Sequence, residues 1–368
     1  MSAFEERTRR CQQRLRERGA GGVVLFPSQN CYYLGGFSEE PGERHLFLFV
    51  PAEGDPAFVA PELYDEQLRE ATWVEDVRLW SDAEDPTGLV AETAADLGMA
   101  DGELLVDPTM WARFTQDLRA ALPDATWGLA DEVLGPLRVR KDDAELDALR
   151  SAADAADAAM NDVRDLGADA IGMTERELAE FAADRLAAHG GDGTSFETIV
   201  GSGPNGAKPH HHRADREVER GDPVVFDFGT RVDGYPSDQT RTIVFAGDPP
   251  AAFERVHDVV REAQQAAVDA VEPGVPAEDV DAAAREVIED AGYGDEFIHR
   301  TGHGVGLDVH EEPYVVGGND RPLEGGMVFS IEPGVYLDGE FGVRIEDLVA
   351  VTADGCERLN DTDRGWRV

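Results

Sequence analysis

The chain has 368 residues, 42% of them apolar, and carries 76 Asp plus Glu against 33 Lys plus Arg, a formal net charge of −43. That apolar content excludes a disordered chain, and the negative charge argues against nucleic acid or anionic membrane as a partner. Lys141 and Lys208 are the only lysines, and the acid is spread along a patterned sequence. A halophilic cytoplasm is expected, because at molar salt the Debye length falls to about 3 Å and self-repulsion is screened. Three cysteines, Cys11, Cys31 and Cys356, form no CxxC pair and fit a reducing cytosol. No apolar run reaches the roughly 18 residues of a membrane span.

In chain order, residues 1–20 are charged and helical in pattern, without a signal-like apolar core. Residues 22–26 and 45–49 are expected strands, and 65–71 and 83–97 expected helices. Residues 103–107 and the stretch near Trp127 complete an α/β domain, residues 1–137. His45 is its only histidine and is expected to be structural. Residues 137–142 form the joint to a second, α+β domain, residues 138–368. Helices are expected at 144–166, at 175–189 with Thr174 as N-cap, at 251–271 and at 277–291. Each helix pair is accompanied by strand hairpins, as in an internally duplicated domain, although no sequence repeat is clear.

The first hairpin, residues 224–245, carries Asp227 and Asp238. If its turn centres on Asp233-Gly234, residue 229 faces 238, and Asp227 sits one diagonal step from Asp238 on the same face. Diagonal neighbours lie about 7–8 Å apart at the backbone, from which two carboxylates converge on metal ions about 3.5–4 Å apart. The competing reading is two solvated strand acids in a very acidic protein. In the second hairpin, a three-residue loop centred on Gly339 sets Glu332 opposite Glu346. Like charges so placed destabilise a sheet unless a cation lies between them. Pro333 interrupts that strand and leaves the register open. Six of the nine histidines, His210, His211, His212, His299, His303 and His310, lie near these segments. Glycines 302, 304 and 306 permit close backbone approach around His303. His211 and His212 are expected in structural or surface roles. Together Asp227, Asp238, His303, Glu332 and Glu346 are four carboxylates and an imidazole, a set that two divalent cations would neutralise.

These segments resemble the creatinase-type, or pita-bread, metallopeptidases, the group of Xaa-Pro dipeptidases (prolidases) and Xaa-Pro aminopeptidases. His299-Arg-Thr-Gly-His303-Gly-Val-Gly-Leu-Asp-Val-His310-Glu311 resembles the family's histidine signature throughout. The segments Asp227-Phe-Gly229, Ser237-Asp238-Gln-Thr-Arg-Thr242, Ile331-Glu332-Pro-Gly334 and Val343-Arg344-Ile-Glu346-Asp347 resemble the ligand segments in order and spacing. Residues 203–210 resemble the substrate-histidine segment and, more loosely, residues 30–37 the amino-terminal domain. The resemblance implies an α+β pita-bread catalytic domain preceded by a smaller creatinase-like α/β domain. It implies that Asp227 binds one metal, that Asp238 and Glu346 bridge two, and that His303 and Glu332 complete the second ion's ligands. Glu332 would also be the proton shuttle, with His210 and His310 on the substrate carbonyl. His299, Tyr336 and Arg344 would support the site by hydrogen bonds. Manganese is the expected metal, with cobalt, zinc or iron as alternatives. Short proline-containing peptides and a homodimer are the implied partners. The length favours a dipeptidase. An aminopeptidase acting on longer peptides, a hydrolase of a non-peptide C–N bond and a non-catalytic binding module are the alternatives. Lys208 departs from the family pattern and is expected at the surface.

Overall fold

Val23, Val24 and Leu25 form an apolar run with no exposed surface, as a strand covered on both faces requires. They lie in the first of two units, which ends at Arg138; the second begins at Val139. The computed structural model describes residues 2–368. The first unit runs α1 (Ala3–Arg18), β1 (Gly22–Leu25), α2 (Gln29–Gly35), β2 (Phe47–Pro51), β3 (Ala57–Pro61), α3 (Asp65–Ala71) and β4 (Asp76–Trp80). It continues with α4 (Thr87–Asp96), β5 (Gly102–Val106), α5 (Ala112–Ala121), β6 (Ala125–Leu129) and α6 (Asp131–Arg138). The six strands form one mixed sheet in the order β4-β3-β2-β1-β5-β6. Helix α4 starts four residues later than the sequence predicts. Pro86 disfavours helical geometry in the residue before it, and the Asp85 side chain turns to accept from Thr87 N at 3.0 Å. His45 is structural: its Nε2 lies 2.9 Å from Asp117, and its ring packs edge-on against Phe47, Trp80 and Phe114.

The second unit opens with α7 (Asp143–Asp165), capped reciprocally by Asp142 and Glu145, and α8 (Glu175–Ala188), capped in the same way by Thr174 and Glu177. Strands β7 (Ile199–Ser202), β8 (Val224–Phe228), β9 (Arg231–Val232), β10 (Tyr235–Pro236) and β11 (Gln239–Ile243) follow. After α9 (Phe253–Asp269) and α10 (Ala277–Asp290) come β12 (Gly302–Gly304), β13 (Glu311–Val315), β14 (Val328–Ile331) and β15 (Gly334–Leu337). The last strands are β16 (Phe341–Arg344), β17 (Asp347–Val351) and β18 (Cys356–Arg358). Met160, Leu178, Phe226 and Phe228 share one core between the first helix pair and the sheet β11-β8-β7. Phe253, Val280, Phe329 and Val349 share a second core between α9, α10 and the sheet β13-β12-β14-β17-β18. Two helix pairs, each on its own sheet, are thus the layout that the order of sequence patterns predicts. Among the described residues no helix is long and apolar enough to cross a membrane.

Both predicted registers occur. Gln239 pairs with Phe228 and Thr240 with Asp227, the alignment in which 229 faces 238. Gly229 is required there, because a Cβ on it would lie 1.8 Å from Ser237 O. In the second hairpin Ile331 pairs with Asp347 and Gly334 with Arg344, one continuous alignment that sets Glu332 against Glu346. Neither of those two pairs with the other through the backbone. Glu332 N donates to Thr301 O at 2.8 Å, and Glu346 N donates to Thr240 O at 3.0 Å. The interruption at Pro333 therefore splits the ladder without shifting it.

Candidate metal centre

Strand β8 brings Asp227 into the middle of a sheet whose neighbours on both sides are buried. Phe226 and Phe228 have no exposed surface and Asp227 is 9% exposed, so the solvated-acid reading fails. Asp238 enters just before β11, His303 lies at the centre of β12, and Glu332 and Glu346 flank the split in the second hairpin. Gly302 and Gly304 let β12 press against its neighbours: a Cβ on Gly302 would meet Ser330 O at 1.8 Å, and one on Gly304 would meet Glu312 O at 2.2 Å.

All five predicted ligands line one cavity of about 750 Å³. Asp238, His303 and Glu346 offer donor atoms within 4.8 Å of one another. Asp227 and Glu332 face the same space from its walls. His210 and His310 line the cavity as well, and both are exposed. His299 and Arg344 contribute to the lining. Tyr336 is buried and reaches the site through its hydroxyl. Arg344 Nη1 donates to that hydroxyl at 2.8 Å, and the hydroxyl donates to His299 Nε2 at 3.0 Å. His299 Nδ1 in turn donates to Arg300 O at 2.7 Å.

The electrostatics call for cations. Burial, reinforced by the neighbouring carboxylates, pushes the Asp238 and Glu346 pKa values well above the ordinary range. Burial also raises Glu332, to about 7. Desolvation depresses His303 to about 3 and His299 to about 4, so both rings are neutral at pH 7. His303 Nδ1 donates to Gly304 O at 3.2 Å, which leaves Nε2 as the lone-pair nitrogen. That lone pair faces Glu332 Oε1 at 3.3 Å and Asp238 Oδ2 at 3.6 Å. Against two ionised carboxylates that lone pair is repulsive, a cost that protons on the acids or a metal cation among the three groups removes, and a backbone carbonyl on the far ring nitrogen is the usual support of a metal-binding histidine. Asp227 Oδ2 accepts from Arg344, while its Oδ1 is buried without a hydrogen-bond partner. The residues present therefore fit divalent metal ions.

His211 and His212 do not belong to the donor group. His211 Nε2 binds Glu175 at 2.7 Å, and the His212 side chain is 86% exposed beside Glu197. Lys208 is exposed and donates to Asn205. Three supporting residues went unread in the sequence. Thr240 Oγ1 donates to Glu346 Oε2 at 2.6 Å. Arg241, 1% exposed, spans Asp347 and the carbonyls of Thr240 and Glu346. Ser330 Oγ lies 3.3 Å from Glu332 and accepts from His303 N. The available signal was the run Gln239-Thr240-Arg241-Thr242, four polar residues in a strand with no apolar face.

Comparison with known proteins gives matches over both units. The model described as Metallopeptidase family M24 matches residues 147–353, and that described as Creatinase/Prolidase N-terminal domain matches residues 7–140. A probable dipeptidase PepE of Mycobacterium tuberculosis is 42% identical over 349 residues, 94% of this chain and 91% of that protein. An Xaa-Pro dipeptidase of Lactobacillus delbrueckii subsp. lactis is 37% identical over 97% of both chains. The crystal structure of a prolidase from Thermococcus sibiricus superposes with a TM-score of 0.95, at 40% identity, over 100% of this chain and 99% of that one.

Proposed function

The chain belongs to metallopeptidase family M24, and from that premise we propose that it hydrolyses Xaa-Pro dipeptides in the cytoplasm. It is a metal-dependent hydrolase with a pita-bread catalytic domain behind a creatinase-like N-terminal domain. We assign residues 1–137 to the latter and 138–368 to the former. The observation that carries the reading is the neutral His303 imidazole directed at the Asp238 and Glu332 carboxylates within a cavity walled by Asp227 and Glu346. An Xaa-Pro dipeptidase and a prolidase among the relatives support the choice of substrate.

In this reading two divalent ions, manganese by preference for oxygen-rich donors with one imidazole, are held by Asp227, Asp238, His303, Glu332 and Glu346. Bound there, they supply Lewis acidity that polarises a carbonyl and makes water easier to deprotonate. Glu332 takes the proton of the attacking water. The water oxygen bonds to the scissile carbonyl carbon while His210 and His310 meet the carbonyl oxygen. The C–N bond then breaks, and the proton held by Glu332 passes to the proline nitrogen, which leaves as a secondary amine. A tertiary amide has no N–H to place, so the residues need only accommodate the ring. Arg344 orients Asp227 and the Tyr336 hydroxyl, and through that hydroxyl the His299 ring that lines the cavity. The acidic, lysine-poor surface is that of a protein from a salt-rich cytoplasm, and the active form is a homodimer.

The test is incubation of the manganese-loaded protein in molar potassium chloride with Ala-Pro and with Ala-Pro-Ala. Cleavage confined to Ala-Pro is the expected result. Release of alanine from the tripeptide would make it an aminopeptidase. Cleavage of neither peptide by metal-loaded protein would overturn the reading.

A further inference from the structure

His210 is carried by a loop, residues 203–213, with only one short 3-10 turn, Gly203–Ala207, to stiffen it. One buried carboxylate ties the two arms of the loop together, while Arg344 Nη1 donates to Pro209 O at 3.4 Å beside its tip. Glu175 is the first residue of α8, and its side chain has no exposed surface. Its Oε1 accepts from Ser202 N at 2.8 Å, Ser202 Oγ at 2.8 Å and Asn205 Nδ2 at 3.0 Å. Its Oε2 accepts from His211 Nε2 at 2.7 Å and Ala214 N at 3.0 Å. Ser202 and Asn205 precede His210 in the chain; His211 and Ala214 follow it. One carboxylate thus clamps both arms of the loop and holds the ring next in sequence to His210.

Capping of α8 does not account for this arrangement. Thr174 and Glu177 already cap that helix reciprocally, and no contact of the Glu175 carboxylate serves the helix. Burial would raise the Glu175 pKa, yet the bonds from Ser202, Asn205 and His211 hold it below the ordinary value. A buried carboxylate accepting five donors is a rigid support, and it stands behind the loop whose tip forms the cavity wall.

We infer that Glu175 is a positioning residue for the substrate: through His211, Ser202 and Asn205 it fixes the loop that presents His210 to the scissile carbonyl. The inference rests on the role proposed for His210. Glutamine at 175 keeps one acceptor oxygen but places an NH2 group against the Ala214 N–H, so the second arm of the clamp is lost while size is retained.

The experiment compares manganese-loaded Glu175→Gln, His210→Ala and the double variant on Ala-Pro, with hydrogen–deuterium exchange of each. Glu175→Gln is expected to lower kcat/KM about tenfold and to speed exchange in residues 203–214 but not in 224–243 or 328–351. In the His210→Ala background the same change is expected to cost nothing further, because its effect passes through His210. Losses that multiply in the double variant, or unchanged exchange in residues 203–214, overturn the inference. If the unaltered enzyme cleaves no Ala-Pro, the dipeptidase reading falls by itself, and the exchange result decides the role of Glu175. Should Glu175→Gln not fold, Asn205→Ala, which removes one of the five donors to Glu175 and an exposed acceptor of Lys208, carries the same comparison.

Discussion

Replacing Thr240 by valine tests whether the carboxylates are held ready for metal. The side chains are nearly isosteric, so the packing of β11 is kept. What goes is one hydroxyl with two bonds: it donates to Glu346 Oε2 at 2.6 Å and accepts from Arg344 Nε at 3.1 Å. A hydrogen bond to a charged group contributes about 1.5–3 kcal/mol, and each 1.4 kcal/mol is a factor of about ten in affinity. Thr240→Val is therefore expected to weaken manganese binding about 10- to 100-fold, the range typical when a group supporting a ligand is removed. The assay is isothermal titration of the metal-free protein with Mn2+ in molar potassium chloride. Thermal unfolding of the metal-free variant serves as control for the fold. Manganese affinity within twofold of the unaltered protein, with the fold intact, would refute the reasoning and leave Glu346 without need of its donor.

Glu332→Ala is expected to lower kcat on Ala-Pro by at least about 100-fold, the scale of a lost general base; retained turnover with bound manganese would remove its proton-shuttle role. His257 is buried with both ring nitrogens unpartnered, and desolvation lowers its pKa from 6.5 to about 4. Below pH 6.5 the unfolded chain takes up a proton that the folded ring refuses, so stability falls as pH drops from 6.5 to about 4. His257→Leu is expected to remove up to about 3 kcal/mol of that acid sensitivity, seen as a shallower fall of melting temperature with pH. An unchanged slope would place the acid sensitivity elsewhere. Gly302→Ala drives a Cβ into Ser330 O and is expected to cost more than about 3 kcal/mol. A melting temperature matching that of the unaltered protein would show that β12 and β14 can part without penalty.

The ligands were legible in the sequence because metal chemistry constrains residue type and hairpin geometry constrains register. Asp233-Gly234 and Gly339 mark turns, and a turn plus period-two alternation determines which residues face each other. That reasoning sets 229 against 238 and 332 against 346 from the sequence alone. Pro333 interrupts the second hairpin, yet it only releases the backbone of Glu332 to Thr301 and that of Glu346 to Thr240. The supports were harder to read because their partners are remote in sequence. Thr240 meets Glu346 across 106 positions, and Glu175 meets His211 across 36. No local period encodes such pairs. Glu175 in particular looks like an ordinary first-turn acid, since glutamate at that place in a helix is favoured by the dipole alone. Its burial is the sole sign that it faces inward, and burial at a helix start depends on where the following loop returns. The donor set is thus written in residue types and turns, whereas its rigidity is written in the tertiary fold. A chain with the five ligands but without Thr240 or Glu175 would share the signature around His303 and differ in how tightly it holds metal and substrate.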